Sequence, residues 1–229
     1  MKNFLLCFVL SFSFIACSTD TNLSESQNTA SLKSGNNNLV SPQNKTNPFD
    51  SAGKQYYDAL TLYRQKNQFP NSISEITAEI KFASKDFRGP SLTGRNVIPF
   101  TDEIVESIMS DPDNSMIAIV QGSTLSAGAK ATVVDFLQGL ILQRDEEFNL
   151  LYNYVVSYES SIIANTTLTT DEKDTILTIA SISRYSLYSE AERKDRDWET
   201  SVGSRKIQPF FSPNEAGIIS TIAILDKMI

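Results

Sequence analysis

Residues 169–188 read TTDEKDTILTIASISRYSLY, and the first four decide how the rest folds. Thr169 fits a helix N-cap, and Glu172, three residues on, can reach back to close a capping box. Behind it Ile176, Ile179, Ala180, Ser183 and Leu187 recur at spacings of three and four, the period of one helix face. The stretch is therefore expected to be a helix with a fixed start.

The same period extends in both directions. Toward the C-terminus, SPNE offers Ser212 as N-cap, Pro213 at the first helical position and Glu215 at the third, opening a helix that buries Ile218, Ile219, Ile222 and Leu225. Toward the N-terminus, RDEEFNLLYNYVVSYESSIIA carries Phe148, Leu151, Val155, Tyr158 and Ile162 on one face. Its tyrosines, Tyr154 and Tyr158 in line and Tyr152 to the side, are expected to pack with their phenols reaching solvent. Residues 127–143 present Val133, Val134, Leu137, Leu140 and Ile141; the pattern leaves open whether Arg144–Glu147 interrupts one long helix. Gly128 and Gly139 would each cost that helix about 1 kcal/mol relative to Ala unless a neighbour needs the space. Earlier helices are expected with Tyr56, Leu60 and Tyr63 on one face, with Asn71 capping Ile73, Ile76, Ile80 and Ala83, and with Thr101 capping DEIVESIMS. SMIAIVQG fits a short helix or a strand, and RGPSLTGRNVIP reads as a loop. No sustained two-residue alternation occurs, so the expected fold is all-α: a single irregular bundle of about six or seven helices.

Before the helices the composition changes. Residues 18–47 are rich in Ser, Thr, Asn, Gln and Lys with almost no aliphatic clusters, which predicts a disordered tether. Some thirty such residues have a root-mean-square reach on the order of 30 Å. The expected organisation is a leader at 1–16, a tether at 17–49 and a helical domain at 50–229.

Charge and residue usage exclude several functions. The chain has 20 basic against 27 acidic residues, a net charge of −7. That balance argues against nucleic acid and against electrostatic docking on anionic lipid. Histidine is absent, so Ser-His-Asp and Cys-His catalysis and imidazole-type metal sites cannot be built. Asp111 and Asp113 have the spacing that opens a calcium loop, but Met116 stands where that loop wants glycine and no glutamate closes it. A turn is the expected use of SDPDNS, and no metal or cofactor is expected.

At the N-terminus, Lys2 precedes an apolar run from Phe4 to Ile15, too short for the roughly 20 residues of a membrane span and right for an export signal. The run stops at Ala16-Cys17. Phe14-Ile15-Ala16-Cys17 resembles a bacterial lipoprotein signal, with Phe14 where leucine is commonest. The resemblance implies cleavage before Cys17, acylation of its thiol and a membrane anchor. Two or three acyl chains hold a protein stably where one does not. Cys7 would leave with the signal, so the mature chain could form no internal disulfide.

YESSI, then LTTDEKDTILTIASISRYSLY, then a tryptophan-containing loop resemble helical lipoproteins of Bacteroidota over the last 90 or so residues. This implies the bacterial envelope, with the outer membrane as the expected site. No acidic cluster follows soon after the cysteine, Asp20 standing alone in the next few residues, which leaves the choice of periplasmic or surface face open. DSA at Asp50 and DTI at Asp174 resemble the O-glycosylation acceptor pattern of that phylum, Ser51 being the better placed.

The most site-like stretch is RYSLYSEAERKDRDWETSVGSRK. It gathers Tyr185, Tyr188 and Trp198 with Glu190, Asp195, Asp197 and Glu199, the residue types of a glycan site. Asp195, Asp197 and Glu199 lie so close together in a polar segment that nothing would raise one pKa for acid catalysis. The expected state is an exposed helix end with surface ion pairs. The expected function is a non-enzymatic binding or structural module, tethered by lipid, whose partner is an envelope protein or glycan. A hydrolase acting on glycans through the acids of 190–199 is the rival.

Overall fold

The computed structural model describes residues 39–85, 100–200 and 214–228, without the side chains of 195–200 and 226–228. All of them fall in one unit, Asn37–Ile229. The expected signal, Cys17, most of the tether and the RGPSLTGRNVIP loop lie outside the described residues. Among those described there is no strand; eight helices form the body, namely α1 (Asp50–Arg64), α2 (Ile73–Ala83), α3 (Asp102–Ser110), α4 (Pro112–Gly122), α5 (Ala127–Leu142), α6 (Phe148–Ala164), α7 (Thr170–Thr200) and α8 (Glu215–Met228).

The fold is all-α as expected, with finer divisions. Asp111 caps α4 through the Asn114 N–H at 3.1 Å, and Pro112 takes the first position. SDPDNS is thus a helix-to-helix junction, and SMIAIVQG is helical. Arg144–Glu147 does break the chain between α5 and α6.

Caps were legible to within a residue or two. Glu172 accepts from the Thr169 N–H at 2.9 Å while Thr169 Oγ1 accepts from the Glu172 N–H at 3.2 Å, the box expected. The cap of α2 is Ser72, not Asn71: its hydroxyl accepts from the Glu75 N–H, and Glu75 accepts in return from the Asn71 N–H. The start of α8 is also displaced. Asn214 has φ 62°, outside the helical region, so the helix begins at Glu215 rather than Pro213.

The sequence shows α7 with one apolar face, yet nearly all its side chains from 175 to 193 are buried. It packs against α1, α6 and α8 together. Serines make this possible: Ser181, Ser183 and Ser189 are small, and the Ser183 hydroxyl bonds back to Ile179 O at 2.8 Å. Helix α8 is sheathed likewise, its Ser220 and Thr221 hydroxyls donating to Ala216 O and Gly217 O. No helix among the described residues is long and apolar enough to cross a membrane.

The tyrosines of α6 pack as expected, but all three of their phenols donate to backbone carbonyls. Phe136 of α5 stacks on Tyr158 at 4.2 Å and on Tyr154 at 5.9 Å. Tyr154 donates to Phe136 O at 2.9 Å and Tyr158 to Thr132 O at 3.3 Å. A Cβ at Gly139 would collide with Tyr154, so that glycine admits α6; at Gly128 nothing lies within 4 Å.

The largest correction concerns residues 39–49. Instead of ending a tether they form a strap bonded to the helices, with Asn44 and Asn47 buried. The Val40 N–H donates to Asn149 Oδ1 at 3.3 Å and Tyr152 Oη donates to Gln43 O at 3.0 Å. The folded body therefore starts at least eleven residues before Asp50.

Two outcomes follow from these contacts. Gly128→Ala should raise stability by up to about 1 kcal/mol in urea titrations, whereas Gly53→Ala, whose Cβ would meet Ser181 and Tyr185, should cost about 2 kcal/mol. Glu172 also accepts from Ser126, and with the Thr169 N–H this holds its carboxyl at about 2, below the ordinary 4.5. A depressed carboxyl pKa stabilises above pH 4.5 and loses that contribution as pH falls toward 2. Glu172→Gln should remove that part of the acid dependence, on the order of 1 kcal/mol after solvent screening, as read from denaturation midpoints between those pH values.

Candidate functional site

A buried carboxylate is costly unless donors surround it. Glu159 of α6 is fully buried. Its Oε2 accepts from Asn44 Nδ2 at 2.6 Å, and its Oε1 from Asn47 Nδ2 at 2.6 Å and Arg184 Nη2 at 3.0 Å. Arg184, also fully buried on α7, uses the same nitrogen toward Asp50 Oδ1 at 2.8 Å. Tyr185 Oη donates to Asp50 Oδ2 at 3.2 Å; burial, then the Asp50 charge, pushes this phenol up to about 12. The cluster joins strap, α1, α6 and α7.

A second cluster lies farther along α7. Arg64 of α1 grips Glu79 of α2 with Nε at 2.9 Å and Nη2 at 2.6 Å, and reaches Glu190 at 3.1 Å and Ser189 at 2.7 Å. Arg193 Nε donates to Glu190 Oε2 at 3.1 Å. The two guanidinium carbons stand 4.9 and 4.2 Å from the Phe69 ring centroid. Burial raises the Glu79 carboxyl above its usual range even though Arg64 opposes the shift. Two cations and two carboxylates thus satisfy one another under a loop.

This corrects the expected surface character of the segment. Glu190 is 3% exposed and Tyr185 5% exposed, and both hold helices together. Tyr188 meets Phe148 edge-on at 5.3 Å and Tyr57 at 5.7 Å. Tyr57 donates to Glu192 at 2.6 Å. The side chains of Asp195, Asp197, Trp198 and Glu199 lie outside the described residues, as does Cys17. Asp111 also donates nothing to a calcium loop: its carboxylate is occupied by Asn114. Among the described residues no three Asp, Glu, Cys or His stand close enough to hold a metal. Ser51 is exposed on the first turn of α1, whereas Thr175 is buried.

One concave feature among the described residues was not legible in the sequence. A cavity of about 500 Å³ opens between α3, α4, α5 and α8, within the range of small-molecule sites. Ile108, Met109, Ile141, Ile218 and Ile219 form its apolar lining, while Ser110, Arg144, Asp145 and Glu215 give it polar groups. The isoleucines looked like ordinary core positions because periodicity shows which face turns inward, not where two faces fail to meet. Asn214 fixes the loop beside the cavity, donating to Arg144 O at 2.8 Å and Glu146 O at 3.0 Å. No protein-family model, curated protein or solved structure matches this chain.

The Glu159 cluster makes a quantitative expectation. Arg184→Leu leaves Glu159 and Asp50 without their cation and should cost about 3–5 kcal/mol in chemical denaturation. Adding Glu159→Leu should recover at least about 1 kcal/mol relative to the sum of the single changes, because the charge left stranded is then removed.

Proposed function

We propose that this chain is a lipoprotein of the bacterial envelope, held on the outer membrane through Cys17, and that its helical body is a non-enzymatic binding or structural module for an envelope protein or glycan. The N-terminal pattern supports the anchor: a short apolar run ends at a cysteine followed by a polar stretch.

The observation that carries the module reading is the strap. A body hung from a lipid must resist force where the tether meets it. Residues 39–49 bond to α6 and α7 through Asn44 and Asn47, whose amides satisfy Glu159, and Asn47 also donates to Leu177 O at 3.0 Å. Tension arriving at Leu39 is thereby delivered to α6 and to α7, the helix that packs against α1, α6 and α8. Buried charge elsewhere is engaged in packing contacts, which suits a rigid scaffold that presents surfaces.

Membrane fractionation of cells of the native host tests the anchor. The wild type should sediment with membranes and leave them only with detergent. Cys17→Ala, if cleaved at its signal, should be soluble and unfold at the same temperature, since the described core is built from residues 39–85, 100–200 and 214–228. A folded, cleaved Cys17→Ala protein that stays with membranes would sink the lipid anchor. Crosslinking in those cells and mass spectrometry then identify what the module holds.

A further inference from the structure

The strap is bound in two unequal halves. Asn44–Asp50 folds on itself: the Asn47 N–H donates to Asn44 O and the Asp50 N–H to Asn47 O, both at 3.1 Å. Asn44 Oδ1 accepts from the Thr46 N–H, and Asn47 Oδ1 from the Phe49 N–H. The side-chain nitrogens are left to turn inward, and both reach Glu159 in buried hydrogen bonds. Lifting this half away would leave a fully buried carboxylate with Arg184 as its one remaining donor among the described residues.

Leu39–Gln43 is held differently. Among the described residues two hydrogen bonds tie it to a helix, from the Val40 N–H to Asn149 Oδ1 at 3.3 Å and from Tyr152 Oη to Gln43 O at 3.0 Å, and both are exposed. Both partners lie near the start of α6. Val40 is itself 39% exposed, Leu39 packs against the core only partly buried, and Pro42, though buried, has no N–H to give. No charge is stranded when this half leaves, and water replaces both bonds at little cost.

We propose that the strap is a two-stage clasp: Leu39–Gln43 peels reversibly from α6 while Asn44–Asp50 stays seated on Glu159. This deepens the module reading, and rests on it only for the source of the pull, a lipid anchor upstream. A pull at Leu39 loads the two surface bonds in order, Val40 before Gln43, and reaches the buried amides only afterwards. Fully extended, the freed residues add at most about 17 Å between anchor and body. The clasp thus sets two distances from the anchor without uncovering Glu159, and the buried turn is the stop that ends the movement.

Native-state hydrogen exchange followed by NMR tests this on the unacylated chain with its signal removed. Relative to unfolded rates, the Val40 amide should exchange at least about a hundredfold faster than those of Asn47 and Asp50, and with little dependence on denaturant. Asn47 and Asp50 should exchange only together with the amides of α7. Equal protection of all three overturns the proposal, whether all are slow, as in one locked unit, or all fast, as in a strap that frays whole. The second readout is stretching of single molecules gripped at the Cys17 thiol and the C-terminus. A reversible lengthening of up to about 17 Å is expected below the force of global unfolding. Asn149→Ala combined with Tyr152→Phe, which removes both surface bonds, should lower the force of that step and leave the unfolding force unchanged. Absence of the step, or an unaltered step in the double variant, overturns the clasp. None of these outcomes bears on acylation of Cys17, whose test is fractionation.

Discussion

One carboxylate organises the centre of this protein. Glu159 sits where no water reaches, and its two oxygens accept from Asn44, Asn47 and Arg184. Remove any donor and a charge is left in a medium that cannot solvate it. The strap, α6 and α7 are therefore committed to one another, and Asp50 brings in α1 because it takes the second hydrogen bond of the same Arg184 nitrogen. A net stability of about 5–15 kcal/mol leaves little room for an error at such a point.

This also explains what the sequence could and could not disclose. Helix period and capping chemistry are local, so the Thr169–Glu172 box and the faces of α5 and α6 were readable from neighbours along the chain. The strap was not. Asn44 and Asn47 stand in a polar, proline-containing stretch whose composition matches a solvated tether, and their partner Glu159 lies 115 and 112 residues away. Hydropathy counts an asparagine as exposed; only its long-range partner makes it a core residue. Burial of Arg184 was hidden for the same reason, since serines and an arginine on α7 read as a solvent face until three helices close around them.

The burial of Tyr185 and Glu190, where an exposed helix end was expected, has a related physical root. Aromatic rings beside acids and arginines have the composition of a ligand site and equally of a polar seam between helices. What distinguishes them is whether the groups satisfy each other. Arg64, Glu79, Glu190 and Arg193 do, around Phe69, with two charges of each sign. A seam of this kind fixes register: sliding α1 against α7 by one turn would separate Arg64 from Glu190 and Gly53 from Ser181 together, stranding charge at one point and losing the Gly53 N–H to Ser181 Oγ bond of 3.1 Å at the other.

The distribution of charge then distinguishes two seams of the body. Along α1, α6 and α7 the buried carboxylates have protein partners, while Arg184, which bonds through Nη2, buries its Nε and Nη1 without one. The seam of α3, α4, α5 and α8 is different. Its cavity interior is lined with isoleucines and Met109, with Arg144 and Asp145 left in water at its rim. The charge pairs of Glu159, Arg184 and Asp50 and of Arg64, Glu79 and Glu190 consequently make the first seam the stable frame of the molecule, while at the second the packing of hydrocarbon holds the helices together.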